Sequence, residues 1–307
     1  MRPMRLLPLF KERPWGVRDL AAWFPEAPQH APIGEVWFTS ADNRTEDGPT
    51  LGELAATDAR GLFGRGARDG ICPLLLKFLF TSERLSVQVH PDDEYARAHH
   101  ESLGKTEAWH VLEASAGAAV GLGFTRRLRR DEADSAARSG AIDALLAWRS
   151  THPGDTWLVP ARTVHAIGAG LTVVEVQENS DVTYRLFDYG RPRELHLERG
   201  LDVAELAPYT VENRRQPIAS GRDRLTACAY FTLERWRAAG TLSFSGPGSF
   251  YHLLIVIDGR GTLLGRTLAP GQVWLVPAAA EPFSAPLDGE FLLAYTHDTP
   301  TRAFAVA

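Results

Sequence analysis

Lysine is scarce in this chain. Of 33 basic residues only Lys11, Lys77 and Lys105 are lysine, and the rest are arginine. Lysine supplies a compact point charge that arginine's planar fork does not copy. Two of the three, Lys77 and Lys105, flank the Gln88/His90 stretch. Cysteine is scarcer: Cys72 and Cys228 lie far apart and outside any CxxC pattern. That excludes a disulfide-stapled secreted scaffold and fits a reducing, cytoplasmic location. No apolar run approaches the roughly 20 residues that span a bilayer. The first eight residues, Met1 to Pro8, hold no apolar signal core, so no membrane partner is expected. An excess of one charge is also missing. A net charge of −5 and a pI near 6.1 give no field that would gather nucleic acid.

What remains is a 307-residue chain with 44% hydrophobic and 23% charged residues, a globular composition with room for two cores. Ser86-Val87-Gln88-Val89-His90 is its organising stretch. As a strand it turns Ser86, Gln88 and His90 to one face and the valines to the other. Gln88 and His90 can both ligate a metal. Downstream, Lys105, Glu107 and Trp109 share a face, and Glu107 is a third candidate. Pro73–Phe80 reads as a buried strand interrupted by Lys77, which needs a partner or a cavity. Thr50 is a helix cap, and Pro91 to His100 is one or two helical turns. Arg126 to Trp148 reads as two short helices split at Ser139-Gly140. Most of the remainder, including Leu225–Trp236, reads as strand.

An internal repeat is visible. Gly154-Asp155-Thr156-Trp157-Leu158-Val159-Pro160 recurs as Gly271-Gln272-Val273-Trp274-Leu275-Val276-Pro277, and the run from His110 to Gly117 has a counterpart from His252 to Gly259. The helical segment near 125–150 interrupts only the first copy. This predicts a mainly β chain: two antiparallel jelly-roll barrels, residues 1–205 and 206–307, the first with a helical insertion. In the first copy Pro160 is followed five residues on by His165; in the second, Pro277 is followed by Pro282. One metal site per chain is therefore expected, in the first domain.

Gln88-Val89-His90, Glu107 and Pro160-(x4)-His165 resemble the metal-binding cupin pattern. Together with Pro73–Phe80, Gly104–Trp109, Gly154–Gly168 and Val174–Arg191, they resemble the class I mannose-6-phosphate isomerases of short bacterial type. Trp15-Gly16 and Gly34-Glu35-Val36-Trp37 extend the likeness. The resemblance implies a zinc enzyme interconverting mannose 6-phosphate and fructose 6-phosphate, with Gln88, His90, Glu107 and His165 as ligands. That oxygen and nitrogen set suits zinc. It further implies an active-site role for Arg185, oriented by Asp181, and a substrate pocket containing Ser86, Lys105 and Arg191, with Lys77 a further cationic donor for phosphate. Glu175, in a run of valines, is the candidate base, since burial raises a carboxyl's pKa. A salt bridge to an interior arginine is the alternative role for it. One hexose 6-phosphate and a monomer or weak homo-oligomer complete the expectation. Arg162 departs from the family, which often has glycine there; a positive φ would strain it. A different metal-cupin chemistry and a non-catalytic sugar-phosphate sensor are the competing readings.

Overall fold

The period-two stretches pair into antiparallel sheets, and the computed structural model describes residues 1–67 and 70–306. A six-stranded sheet runs Leu9–Val17, Ile33–Trp37, Leu74–Thr81, Leu171–Glu178, Glu107–Ala114, Thr156–Val159. A five-stranded sheet runs Tyr184–Phe187, Val87–Val89, His165–Ile167, Ala119–Phe124, Leu146–Ser150. The two share a core: Leu79, Trp109, Val111 and Val173 from the first meet Val120, Leu122 and Ile167 from the second. The mainly β, antiparallel class is the one expected.

Helices cover the outer face of the five-stranded sheet. Leu128, Ala133, Ala137, Ile142 and Leu201 pack on Val87, Val89, Phe124, Ala166 and Leu186. The helix Arg130–Ser139 stops at Gly140, whose φ of 81° is the left-handed cap that glycine adopts freely. The helical insertion is shorter than expected. After the single turn Ile142–Leu145, residues Leu146–Ser150 form a strand on Ala119–Phe124. A four-residue helix without a side-chain cap propagates poorly, and the open sheet edge offers its backbone better partners. Leu225–Trp236 likewise divides, into Arg222–Ala227 and Thr232–Phe244, around a turn closed by Cys228 N–H donating to the Phe231 carbonyl at 2.9 Å.

Residues beyond 215 form a nine-stranded sheet, to which the first strand of the chain, Met4–Leu6, also belongs through Val273–Val276. The six-stranded sheet turns its back to it. Leu74, Leu76, Phe78, Ala108, Val174 and Val176 share one apolar cluster with Leu233, Leu253, Ile255, Val273, Leu275 and Leu292.

The repeat is real in the pairing, with a shifted register. Val159 lies opposite Glu107, and its counterpart Val276 lies opposite His252. His252 therefore stands where Glu107 stands, not where His110 does. It is walled by Phe244, Tyr295 and Phe304, with ring centroids 6.4, 5.3 and 5.1 Å away, and its Nε2 is 2.9 Å from Thr301 Oγ1. Burial, helped by His297 and Arg222, drives its pKa down to about 3. A histidine depressed on folding favours the unfolded chain once protons are available. Its contribution is intact above pH 6.5 and lost as pH falls, by about 2 kcal/mol between pH 6.5 and 4.5. Urea midpoints across that window should fall more steeply for wild type than for His252→Gln. Parallel slopes would contradict a neutral, desolvated His252.

Candidate active site

The site lies between the two sheets of the first half, and strand register builds it. On the five-stranded sheet Gln88 is flanked by His165 on one neighbouring strand and Arg185 on the other. On the six-stranded sheet Trp109, Glu175, Lys77 and Trp37 form one row across four strands, and Glu107 pairs with Gln177 next to it. Each row is a set of side chains brought to one face by antiparallel pairing.

His90, Glu107 and His165 converge so that one ligand atom from each lies within 4.8 Å of the others. His90 Nε2 is 3.5 Å from Glu107 Oε2, and His165 Nε2 is 3.3 Å from Glu107 Oε1. The other ring nitrogens meet carbonyls: His90 Nδ1 at 3.0 Å from Val182 O, His165 Nδ1 at 2.8 Å from Thr163 O. A carbonyl only accepts, so both Nδ1 atoms carry the proton and both Nε2 lone pairs face the centre. Burial, reinforced for His90 by Lys105 and His165, keeps these rings neutral. His165 is held at about 4 and His90 well below its usual value. Gln88 Nε2 lies 3.2 Å from His165 Nε2, and Ser86 Oγ donates to Gln88 Oε1 at 3.0 Å. Turning the amide over presents its oxygen to the centre, and the Ser86 hydroxyl can then accept instead.

Two lysines and a second carboxylate adjoin the cluster. Lys105 Nζ bonds Glu107 Oε2 and lies 2.9 Å from His90 Nε2. Lys77 Nζ is 3.4 Å from Glu175 Oε2 and 4.7 Å from the Trp37 ring centroid. Trp109 Nε1 donates to Glu175 Oε1 at 3.1 Å. Glu175's interior partner is thus a lysine, where an arginine was the alternative. Burial and nearby Glu107 raise its pKa, against Lys105 and Lys77. Behind Lys77, Glu35 takes a bidentate grip from Arg13 at 2.8 and 3.1 Å. Burial would raise Glu35, but Lys77 and Arg13 outweigh it and hold it at about 2.

No protein-family profile matches this chain. It is 37% identical over 281 residues to the mannose-6-phosphate isomerase ManA of Bacillus subtilis, covering 85% of this chain and 87% of that protein. The chain belongs to the mannose-6-phosphate isomerase family. A crystal structure of the mannose 6-phosphate isomerase from Bacillus subtilis superposes with a TM-score of 0.87 at 30% identity, over 96% of this chain and 99% of that one. A zinc-bound mannose 6-phosphate isomerase shares the fold, with a TM-score of 0.78 at 16% identity, over 97% and 100%.

The donor set of this isomerase-family chain fits a divalent metal. Glu107 Oε1 is buried without a hydrogen-bond partner among the described residues. A desolvated carboxylate oxygen beside two outward-clamped imidazoles is the arrangement that second-shell hydrogen bonds create around a metal. Arg185 also faces the site, its side chain unpaired among the described residues. Its Nε is buried without a partner among the described residues, and burial and Arg193 lower its pKa.

Other expected residues are placed differently. Asp181 is exposed and makes no hydrogen bond or ion pair with Arg185 among the described residues. Arg185 is backed instead by His196, whose Nδ1 accepts its backbone N–H at 3.3 Å. Arg191 spends its donors on Asp188 at 3.2 Å, Glu83 at 2.7 Å and the Arg84 carbonyl at 2.8 Å. Arg162 does take a positive φ, 73°, which costs a non-glycine residue about 1–2 kcal/mol. Its backbone N–H donates to the His90 carbonyl at 2.7 Å, and its side chain is tied to Val203 O at 3.0 Å and Asp92 at 3.4 Å. A cleft of about 590 Å³ opens at the end of Leu171–Glu178, lined by Glu178, Asn179, Arg97 and Tyr230. It is a separate feature from the histidine cluster.

Proposed function

We propose that this chain is a zinc-dependent mannose-6-phosphate isomerase of the cytoplasm, holding one metal in residues 1–205 and none in 206–307. Gln88, His90, Glu107 and His165 would hold the zinc. When bound, the ion polarises the oxygens at C1 and C2 of the open-chain sugar. The observation that carries the reading is Glu175. It is a buried carboxylate of raised pKa, oriented by Trp109 and Lys77, adjoining the histidine cluster without joining it.

Glu175 takes the proton from C2 of the aldose, leaving a cis-enediolate. It returns that proton to C1, while the O2 proton moves to O1, and the ketose results. Arg185, whose side chain makes no ion pair among the described residues, stabilises the charge that develops on oxygen. Lys105 and Ser86 line the same pocket. Lys77 tunes Glu175 and adds positive charge for an anionic substrate. Arg191 supports the wall through Asp188 and Glu83. Asp181 lies at the exposed rim, near enough that its charge acts on Lys105 and Arg185.

A coupled assay comparing mannose 6-phosphate with mannose tests this. Remote phosphate binding positions the reacting carbons, so kcat/KM should be far higher for the phosphorylated sugar. Equal values would remove the sugar phosphate from the proposal. No turnover of either by metal-loaded protein would remove the activity.

A further inference from the structure

One buried oxygen beside the histidine cluster has no donor among the described residues. Gln177 is wholly buried, and its Nε2 donates to the Glu178 carbonyl at 3.0 Å and the Ser180 carbonyl at 2.6 Å. Turned over, the amide would set its oxygen against both carbonyls, so this orientation is fixed by chemistry. Oε1 is left without a hydrogen-bond partner among the described residues. Native proteins rarely leave a desolvated acceptor empty.

Placement says what would fill it. Gln177 lies directly opposite Glu107 in register and follows Glu175 by two residues, so all three side chains share the pocket face. The cationic donors nearby, Lys105 and Lys77, are engaged with Glu107, His90 and Glu175. An open-chain sugar brings hydroxyl groups, each a donor that needs an acceptor once water is excluded. A carboxylate would meet that need but would repel an enediolate; an amide oxygen is neutral. We propose that Gln177 Oε1 accepts a hydrogen bond from a hydroxyl of the bound sugar phosphate, which makes Gln177 a substrate-binding residue. This inference rests on the isomerase reading.

The test uses mannitol 6-phosphate, a polyol phosphate that cannot isomerise, and inorganic phosphate. Calorimetric titration of metal-loaded wild type, Gln177→Met and Gln177→Asn is paired with elemental analysis of each. Gln177→Asn draws the same amide back by one methylene and carries the same expectation if the methionine variant fails to fold. Both variants should keep wild-type metal content and wild-type affinity for inorganic phosphate. Affinity for mannitol 6-phosphate should fall about 10-fold or more, as loss of one buried hydrogen bond implies. The decrease in kcat/KM for mannose 6-phosphate should include a rise in KM. Unchanged polyol phosphate affinity overturns the inference. So does an equal loss for inorganic phosphate, or loss of metal, since either assigns the amide to the loop at 178–180 or to the metal shell. Wild type that fails to bind mannitol 6-phosphate while binding metal tells against the isomerase reading itself.

Discussion

Glu175→Gln is expected to keep its metal and to lose turnover by about 10²–10⁴-fold, the usual contribution of a positioned general base. The amide fills the same space and can still meet Trp109 Nε1, 3.1 Å away in the wild type. Only the capacity to take the C2 proton disappears. Exchange of that proton with solvent should vanish in step, to the extent that wild type shows it. The pH profile gives a second view. Because burial raises the pKa of Glu175, and the base acts deprotonated, the acid limb of kcat/KM should lie above pH 4.5, the usual glutamate value. Lys77→Met should move it higher, since Lys77 holds that pKa down. Arg185→Ala should also retain metal, with a loss comparable to removing a charge-stabilising donor, about 10²–10³-fold. A Glu175→Gln enzyme that isomerises at nearly the wild-type rate would make the residue structural. One that sheds its metal would place it in the first coordination shell.

His165→Ala and Glu107→Gln are expected to lose metal and activity together, as should wild type treated with a strong chelator. Untreated wild type should hold about one divalent ion per chain by elemental analysis. Two ions, or one that survives His90→Ala with His165→Ala, would defeat the assignment. The Glu107 position separates coordination from folding. Glu107 is fully buried and is the carboxylate partner of buried Lys105. Removing one partner of such a pair leaves an uncompensated charge and costs about 3–5 kcal/mol. Glu107→Ala should therefore lower the Tm of metal-free protein well below that of His165→Ala, although both abolish metal binding. Equal melting temperatures would show that Lys105 relaxes to solvent or loses its proton.

Much of the site could be read from local alternation. Gln88 and His90 were separable from Val87 and Val89 by parity, and Glu107 and Trp109 shared a face for the same reason. Glu175 stood out as a charge among valines. What parity could not supply was which strands become neighbours. That Gln88 lies between His165 and Arg185, or that Glu175 faces both Lys77 and Trp109, depends on register over long separations. Loop residues misled for a related reason. Asp181 is close to Arg185 in sequence, yet it precedes the strand Tyr184–Phe187 and is left exposed. His196 gave no signal in the sequence, yet Gly200 N–H bonds its carbonyl and its own N–H bonds the Arg185 carbonyl, both at 2.8 Å, which draws it in behind that arginine. Gln177 carried a faint signal: it continues the Glu175 parity toward Glu178 and Asn179, where polar residues follow one another in a strand.

The pairing of Met4–Leu6 with Val273–Val276 sets an order on biosynthesis. Met4 meets Leu275 and Leu6 meets Val273, so a strand made early must wait for one made about 270 residues later. The back of the six-stranded sheet waits with it, since Val174 and Val176 are covered by Leu253, Leu275 and Leu292. A nascent chain that has already placed Gln88, His90, Glu107 and His165 outside the ribosome still shows an uncovered apolar face and an idle strand edge. Such surfaces are where partly made proteins associate wrongly. The nine-stranded sheet is thus the lid on the other half's synthesis: the six-stranded sheet that holds Glu107 and Glu175 is completed only by residues made after it.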